Sequence, residues 1–298
     1  MRILNNFSWK VAGEAGHGIL NAGLMFAKTC MRAGLNVFAT AEYPSLIRGG
    51  HNHLDVRVSS KKIYAHTKGV SLLVALNMDA VTKHKHKILE GGGIVYDGSE
   101  LNLDPKDFSI KLYPVPLLEI ANKYGGRIMR NTVAMGASIA LVGLDLEIFN
   151  QVLRDNFGSK KGDKVVNDNI AASKAGYDYI KENFPDNFGF RLEKVENNKN
   201  RIFISGNEAI SLGAIKAGCK FFSGYPMTPA SSILHTMAAY EKSCNIVVKH
   251  TEDEIAGINM AIGAAHAGVR AMTATSGGGF SLMVEGFGLA AQTETPIV

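Results

Sequence analysis

Strand-like and helix-like runs alternate along residues 7–183, and this alternation limits what the chain can fold into more than any other feature. Residues 7–12 read as a strand, and a Gly-rich turn leads from them into the helical pattern Ile19, Leu20, Leu24, Met25, Ala27. Further strands are predicted at 37–39, 54–58, 72–76, 93–96 and 110–113, and helices at about 79–90, 116–123, 130–142, 146–155 and 165–182. Such alternation predicts α/β layers, a parallel or mixed sheet flanked by helices. The stretch from Glu182 to Arg201, rich in Asn, Lys, Glu and Pro, breaks the pattern and reads as a linker. With 298 residues, 46% of them hydrophobic, the chain can bury two ordinary cores. The expected organisation is one α/β domain over 1–185, a linker over 186–200 and a second α/β domain over 201–298.

Charge and cysteine content narrow the function classes. The net charge is +5, but Lys and Arg are scattered among acids, without the basic, aromatic-interleaved stripe that nucleic-acid binding needs. A basic face for an acidic partner or a phosphate-rich cofactor suits the charge as well. Cys30, Cys219 and Cys244 lie far apart with no C-x-x-C pair, which fits a reducing compartment and excludes a complete four-cysteine iron–sulfur site in this chain. No N-terminal apolar h-region and no run of about 20 apolar residues is present, so a cytoplasmic protein without a membrane span is expected.

The second half carries the chemistry. Thr251-Glu252-Asp253-Glu254 opens a segment in which no further charge occurs until Arg270, with Ile255, Ala256, Ile258, Met260, Ala261, Ile262, Ala264 and Ala265 between. Such all-round apolar character predicts a helix packed on several sides. Glu254 would then stand at the edge of a buried site, where a carboxyl can share or donate a proton. The alternative is an acid cluster that only favours the positive end of a helix dipole. Upstream, Phe221-Phe222-Ser223-Gly224-Tyr225-Pro226-Met227-Thr228-Pro229 is an apolar run ending in a Pro-stiffened turn, before a helical pattern from Ala230 to Tyr240. Pro229 suits a first helical position and Thr228 its N-cap, at the C-terminal end of a strand, where open α/β sheets bind ligands. A second such loop, Ser276-Gly277-Gly278-Gly279, offers bare backbone amides for anions or close ligand approach.

Taken together, Tyr225-Pro226-Met227-Thr228-Pro229, Glu252 to Ala264, Thr273-Ala274-Thr275-Ser276-Gly277 and Glu294-Thr295-Pro296 resemble, in order and spacing, the pyrimidine-binding domain of 2-oxoacid:ferredoxin oxidoreductases, which are thiamine-diphosphate enzymes. The first domain supplies an independent match. Its loop Gly13-Glu14-Ala15-Gly16-His17-Gly18 and the motif Ile47-Arg48-Gly49-Gly50 resemble the gamma-type domain of the same enzymes, with Ala15 and His17 departing from the common pattern. A dinucleotide fingerprint does not fit, because the glycine spacing differs and no acid lies about 20 residues on. An unrelated nucleotide-binding reductase is the weakest reading of that loop.

The resemblance implies a fused gamma-alpha subunit: a gamma-type α/β domain followed by a pyrimidine-binding α/β domain that is incomplete at its C-terminus, since the chain stops within the start of a strand. The implied activity is oxidative decarboxylation of a 2-oxoacid, such as 2-oxoglutarate or pyruvate, to an acyl-CoA, with electrons passed to ferredoxin. Glu254 would hydrogen-bond N1′ of the aminopyrimidine, favouring the imino tautomer whose 4′-nitrogen takes the proton from thiazolium C2. Thr228 would lie beside the substrate carboxylate, and Tyr225, Pro226, Ser276 and Gly277 would line the cofactor. Gly13, Gly16, Gly18 and Arg48 are expected to meet coenzyme A or a subunit interface; for Arg48 the interface is the expectation. The family's Gly-Asp-Gly motif for the diphosphate and Mg²⁺ is absent: Asp97-Gly98-Ser99 and Gly162-Asp163-Lys164 are its nearest approaches, neither expected at a sheet edge. A separate beta subunit is therefore expected to supply the diphosphate site, Mg²⁺ and an iron–sulfur cluster. A non-catalytic assembly subunit, with Glu254 only capping a helix, is the alternative. No metal is expected on this chain: His51 and His53 share a strand face without a third ligand in view, and His84 and His86, amid Lys83, Lys85 and Lys87, read as a solvated basic face.

Overall fold

In the computed structural model, which describes residues 2–14, 16, 18–42, 50–185, 188–196 and 201–298, with backbone alone at 159–161, the chain divides into two units, Met1–Phe203 and Ile204–Val298. The first contains β1 (Ile3–Leu4), β2 (Asn6–Glu14), α1 (Ile19–Arg32), β3 (Asn36–Glu42), β4 (His51–Ser59), β5 (Val70–Ala75), α2 (Met78–His84), β6 (Ile88–Asp97), β7 (Lys111–Val115), α3 (Leu117–Tyr124), α4 (Arg130–Val142), α5 (Leu146–Asn183) and β8 (Phe190–Arg191). Six strands form one mixed sheet in the order β3-β4-β2-β5-β6-β7; β4 runs antiparallel to both neighbours and the other pairs are parallel.

The two-residue period of the strands sorts their side chains between two cores. Trp9 and Val11 of β2 and Leu72 and Val74 of β5 enter a large core with α1, α3, α4 and α5, while Ala12, Leu73 and Ala75 enter a smaller one with Ala80 and Val81 of α2. Trp9 stacks on Phe26 at 4.5 Å between ring centroids and donates its indole N–H to Ser138 Oγ at 3.1 Å, so the one polar atom of a fully buried ring is satisfied. Where α4 crosses α5 the backbones touch: a Cβ on Gly136 or Gly176 would overlap the carbonyl of Ser173 or Val133.

Three expectations change here. The helix predicted over 79–90 ends at His84, because from Ile88 the backbone pairs with Val70 of β5, and strand pairing overrides local helical spacing. The helices predicted at 146–155 and 165–182 form one stretch, α5, interrupted at Gly162 by φ 79°, ψ 168°. The segment expected as a linker, 186–200, is partly structural: Phe188, Phe190 and Leu192 are buried in the large core, with Phe188 and Phe190 at 6.2 and 6.0 Å from the Phe7 ring, and β8 pairs with β1.

The second unit contains α6 (Gly206–Lys216), β9 (Phe221–Gly224), α7 (Ser231–Cys244), β10 (Val247–His250), α8 (Glu254–His266), β11 (Ala271–Thr273) and α9 (Gly278–Gln292). Its three strands are parallel in the order β10-β9-β11. The chain leaves central β9 for β10 on one side and reaches β11 on the other, so the C-terminal ends of β9 and β11 flank a switch point, the position at which open parallel sheets bind ligands. Among the described residues no helix is long and apolar enough to cross a membrane.

Candidate active site

The loops leaving β9 and β11 are tied together. Ser276 Oγ donates to the Thr228 carbonyl at 2.8 Å, and the Thr275 hydroxyl lies 3.9 Å from Met227 Sδ. Ser223, buried at the end of β9, donates to the Gly257 carbonyl at 2.6 Å and so anchors the first turn of α8 to the strand end. Asp253 caps that helix, its Oδ1 accepting from Ala256 N–H at 2.7 Å. Capping is thus done by Asp253, and Glu252 lies before the cap, so neither is an acid within the first turn.

Glu254 is the first residue of α8, and it is 4% exposed. Among the described residues nothing donates a hydrogen bond to its carboxyl. The residue is buried, but its carboxyl oxygens keep some contact with solvent rather than being sealed off. Gly279 explains how the carboxyl is accommodated: a Cβ there would overlap the Thr275 hydroxyl and come within 2.7 Å of Glu254 Oε1. The start of α9 is therefore bare where it faces the acid. Nearby Thr273 Oγ1 is buried without a partner.

The remaining expected site residues fall as follows. Tyr225 and Pro226 are exposed at the end of β9, with the Tyr225 ring 6.3 Å from that of His250. Gly277 is the N-cap of α9 at φ 51°, with no side chain capping the helix. Thr228 is not a helix N-cap. Residues 228–230 form a turn in which the Met227 carbonyl accepts from Ser231 N–H at 3.1 Å, and α7 begins at Ser231 with Ala230 as its cap; Thr228 touches the second loop through its carbonyl, and its side chain is exposed. Helix α8 is not packed on all sides either. Its buried residues are Glu254, Gly257, Ile258, Ala261 and Ile262, a single stripe, while Ile255 and Met260 are 48% and 44% exposed. Thr275 and Gly279 gained importance only from the structure, although three glycines at a helix start were the available signal, since glycine there weakens a helix unless something must approach closely.

In the first unit, Gly13 pairs with Asn52 one position before the β2 ladder ends at Glu14, and Gly16 and Gly18 take positive φ of 90° and 69°, Gly18 as the N-cap of α1. Arg48 lies outside the described residues. Asp97 closes β6, an interior strand of the sheet. Its oxygens are consumed by Ser99 Oγ at 2.6 Å, Ser99 N–H at 3.1 Å and Leu118 N–H at 2.8 Å, so it serves the turn into α3.

His84 also departs from expectation. It is 3% exposed and not part of a solvated face, because α2 lies against β5 and β2 and its last turn sets His84 against His51 and His53 of neighbouring β4. His51 Nε2 and His84 Nε2 are 2.7 Å apart, and burial pushes the His51 ring below the usual imidazole range and the His84 ring down to about 3. Asp55 accepts from Lys10 Nζ at 2.8 Å and stands 3.3 Å from His53 Nε2; burial works to raise this carboxyl, but the His53 and Lys10 contacts carry it below its ordinary value.

Comparison with known proteins agrees with this anatomy. The sequence model described as pyruvate ferredoxin/flavodoxin oxidoreductase matches residues 8–179, and the one described as pyruvate flavodoxin/ferredoxin oxidoreductase, thiamine diphosphate-binding, matches residues 212–298. The chain belongs to the pyruvate ferredoxin/flavodoxin oxidoreductase family. It is 31% identical to the 2-oxoacid:ferredoxin oxidoreductase subunit alpha of Sulfolobus sp over 98% of this chain and 53% of that one. A segment of 95 residues is 59% identical to the 2-oxoglutarate synthase subunit KorA of Archaeoglobus fulgidus, covering 32% of this chain and 28% of that one. The structure superposes with a TM-score of 0.89 and 36% identity on a 2-oxoglutarate:ferredoxin oxidoreductase from Magnetococcus marinus, solved with 2-oxoglutarate, coenzyme A and succinyl-CoA bound, over 98% of this chain and 51% of that one. The chain spans about half the length of the relatives it matches along its whole extent.

Proposed function

We propose that this chain acts as a gamma-alpha subunit of a thiamine-diphosphate-dependent 2-oxoacid:ferredoxin oxidoreductase, converting a 2-oxoacid and coenzyme A to an acyl-CoA and CO₂ with electrons passed to ferredoxin. On this reading residues 1–185 are the gamma-type domain and 201–298 the pyrimidine-binding part. The observation that carries the proposal is Glu254, a buried residue at the head of α8 whose carboxyl has no hydrogen-bond partner among the described residues and packs against the bare glycine start of α9. Glu254 would hold the aminopyrimidine N1′ by a hydrogen bond and so keep the opposite amino nitrogen able to take a proton. When bound, thiamine diphosphate supplies the carbon that attacks the 2-oxo group and holds the electrons left as CO₂ departs. Ser276 and Gly277 would border the ring, Tyr225 and Pro226 would form its outer wall, and Thr228 would approach the substrate carboxylate. Since two relatives are named for 2-oxoglutarate, that acid is the first substrate to try.

A beta subunit would supply the diphosphate site, Mg²⁺ and the iron–sulfur cluster, because the Asp97 carboxyl is occupied within its own turn. Gly13, Gly16, Gly18 and Arg48 would meet coenzyme A or a neighbouring subunit. The competing reading, an assembly subunit in which Glu254 only caps a helix, is disfavoured by Asp253 already filling the cap. Calorimetry tests the proposal: the chain alone should bind thiamine diphosphate weakly, and adding a beta subunit should produce tight binding and 2-oxoacid-dependent CO₂ release. Micromolar binding by the chain alone would refute the shared site.

A further inference from the structure

We propose that His51, His53 and His84 form a binding site for a divalent transition-metal ion, Zn²⁺ in the first instance, that pins β4 to the end of α2. Each imidazole offers one ligand atom, and all three lie within 4.8 Å of one another. A tetrahedral zinc with bonds of about 2.0–2.1 Å holds its ligand nitrogens roughly 3.3 Å apart, so side-chain shifts of about 1 Å would close the site. The ligands come from two elements that the fold presses together: His51 and His53 from one face of β4, and His84 from the last turn of α2.

Carboxylates stand beside two of the three rings, the kind of neighbour that the second nitrogen of a metal-bound histidine meets. Asp79 Oδ2 stands 3.2 Å from His51 Nδ1, leaving His51 Nε2 to face the cluster, while Glu42 and Asp55 stand 3.2 and 3.3 Å from His53 Nε2. His53 Nδ1 and His84 Nδ1 are buried without a partner, and the Asp79 contact is too poorly aligned to serve His51 Nδ1 as a hydrogen bond. Orphaned ring nitrogens on His53 and His84 are costly in a protein interior, and ligation through such an atom removes part of that cost. The ionised neighbours are mixed: Lys10 and Lys83 pair with Asp55 and Asp79, and Lys87 adds a further positive charge. No strongly negative field attracts a hard cation, and an all-imidazole set selects zinc and its transition-metal neighbours over Mg²⁺ or Ca²⁺.

The test uses the full chain, stripped with chelator and titrated with Co²⁺ under visible absorption, followed by Zn²⁺ competition. One ion per chain is expected, with the ligand-field bands of a four-coordinate site. His51→Gln, His53→Gln and His84→Gln should each weaken binding by about 100-fold or more, and Asp79→Asn by about 10-fold. His86→Gln, at an exposed position, should bind like the parent. X-ray absorption at the zinc edge of the unaltered chain does not depend on any variant folding, and it should report three imidazole nitrogens and no sulfur. Unchanged affinity in a folded His84→Gln chain, a thiolate in the zinc shell, or no stoichiometric binding by the unaltered chain would each overturn the site.

Discussion

The two units treat buried polar groups in opposite ways. In the first, buried Lys10 and Asp55 answer each other's charge, and the exposed acids Asp79 and Glu42 stand beside His51 and His53. In the second, Glu254 is equally buried and unanswered. Their apolar surfaces differ as well: the first unit closes Phe7, Trp9, Phe26, Phe188 and Phe190 into its core, whereas α9 leaves Phe280, Leu282, Val284 and Phe287 each more than half exposed. On the proposed function, a buried acid without a partner, on a unit whose helix shows apolar side chains outward, would be half of a shared site, since contiguous exposed apolar surface marks contact regions.

Substitutions can break that contrast, and the largest effect is expected at Glu254. In a complex reconstituted with a beta subunit, Glu254→Gln keeps size and most hydrogen bonding but removes the acid, so decarboxylation should fall by roughly 10²-fold or more. Turnover equal to that of the parent would take Glu254 off the catalytic list. Gly279→Ala comes next. Its Cβ would press on Thr275 and on the Glu254 carboxyl, so melting should report a loss of about 1–3 kcal/mol together with reduced turnover; a chain of unchanged stability and activity would show that the bare helix start is not needed. Asp253→Ala removes the cap of α8 and should cost about 1 kcal/mol in thermal melts while sparing most activity. Arg48→Ala should weaken assembly of the complex in size-exclusion experiments, whereas intact assembly with a raised KM for coenzyme A would assign this arginine to phosphate instead. Smallest of all, Glu252→Gln should leave turnover and melting temperature as they were, because Glu252 is exposed and precedes the cap. Loss of activity equal to that of Glu254→Gln would contradict the division of labour among the three acids.

Sequence alone determined the α/β alternation, the helix over 130–142, the placing of Glu254 at the head of a helix, and the two loops that meet at Ser276 and Thr228. These features are local: side-chain period, caps and Gly/Pro punctuation act over a few residues and are written in neighbouring letters. What only the tertiary structure decided involves partners far along the chain. Phe188 and Phe190 sit in a polar stretch that reads as linker until Phe7 packs on them. Residues 88–90 continue a helical spacing until Val70 claims Ile88 for the sheet. His84, framed by lysines, reads as solvated until the packing of α2 carries it onto His51, 33 positions away. Similarly, Asp253 rather than Glu254 became the cap because backbone direction, not composition, decides which acid turns back on its own amides. Burial and pairing of this kind follow from the packing of whole elements, whose free energy is summed over contacts that no short window of sequence contains.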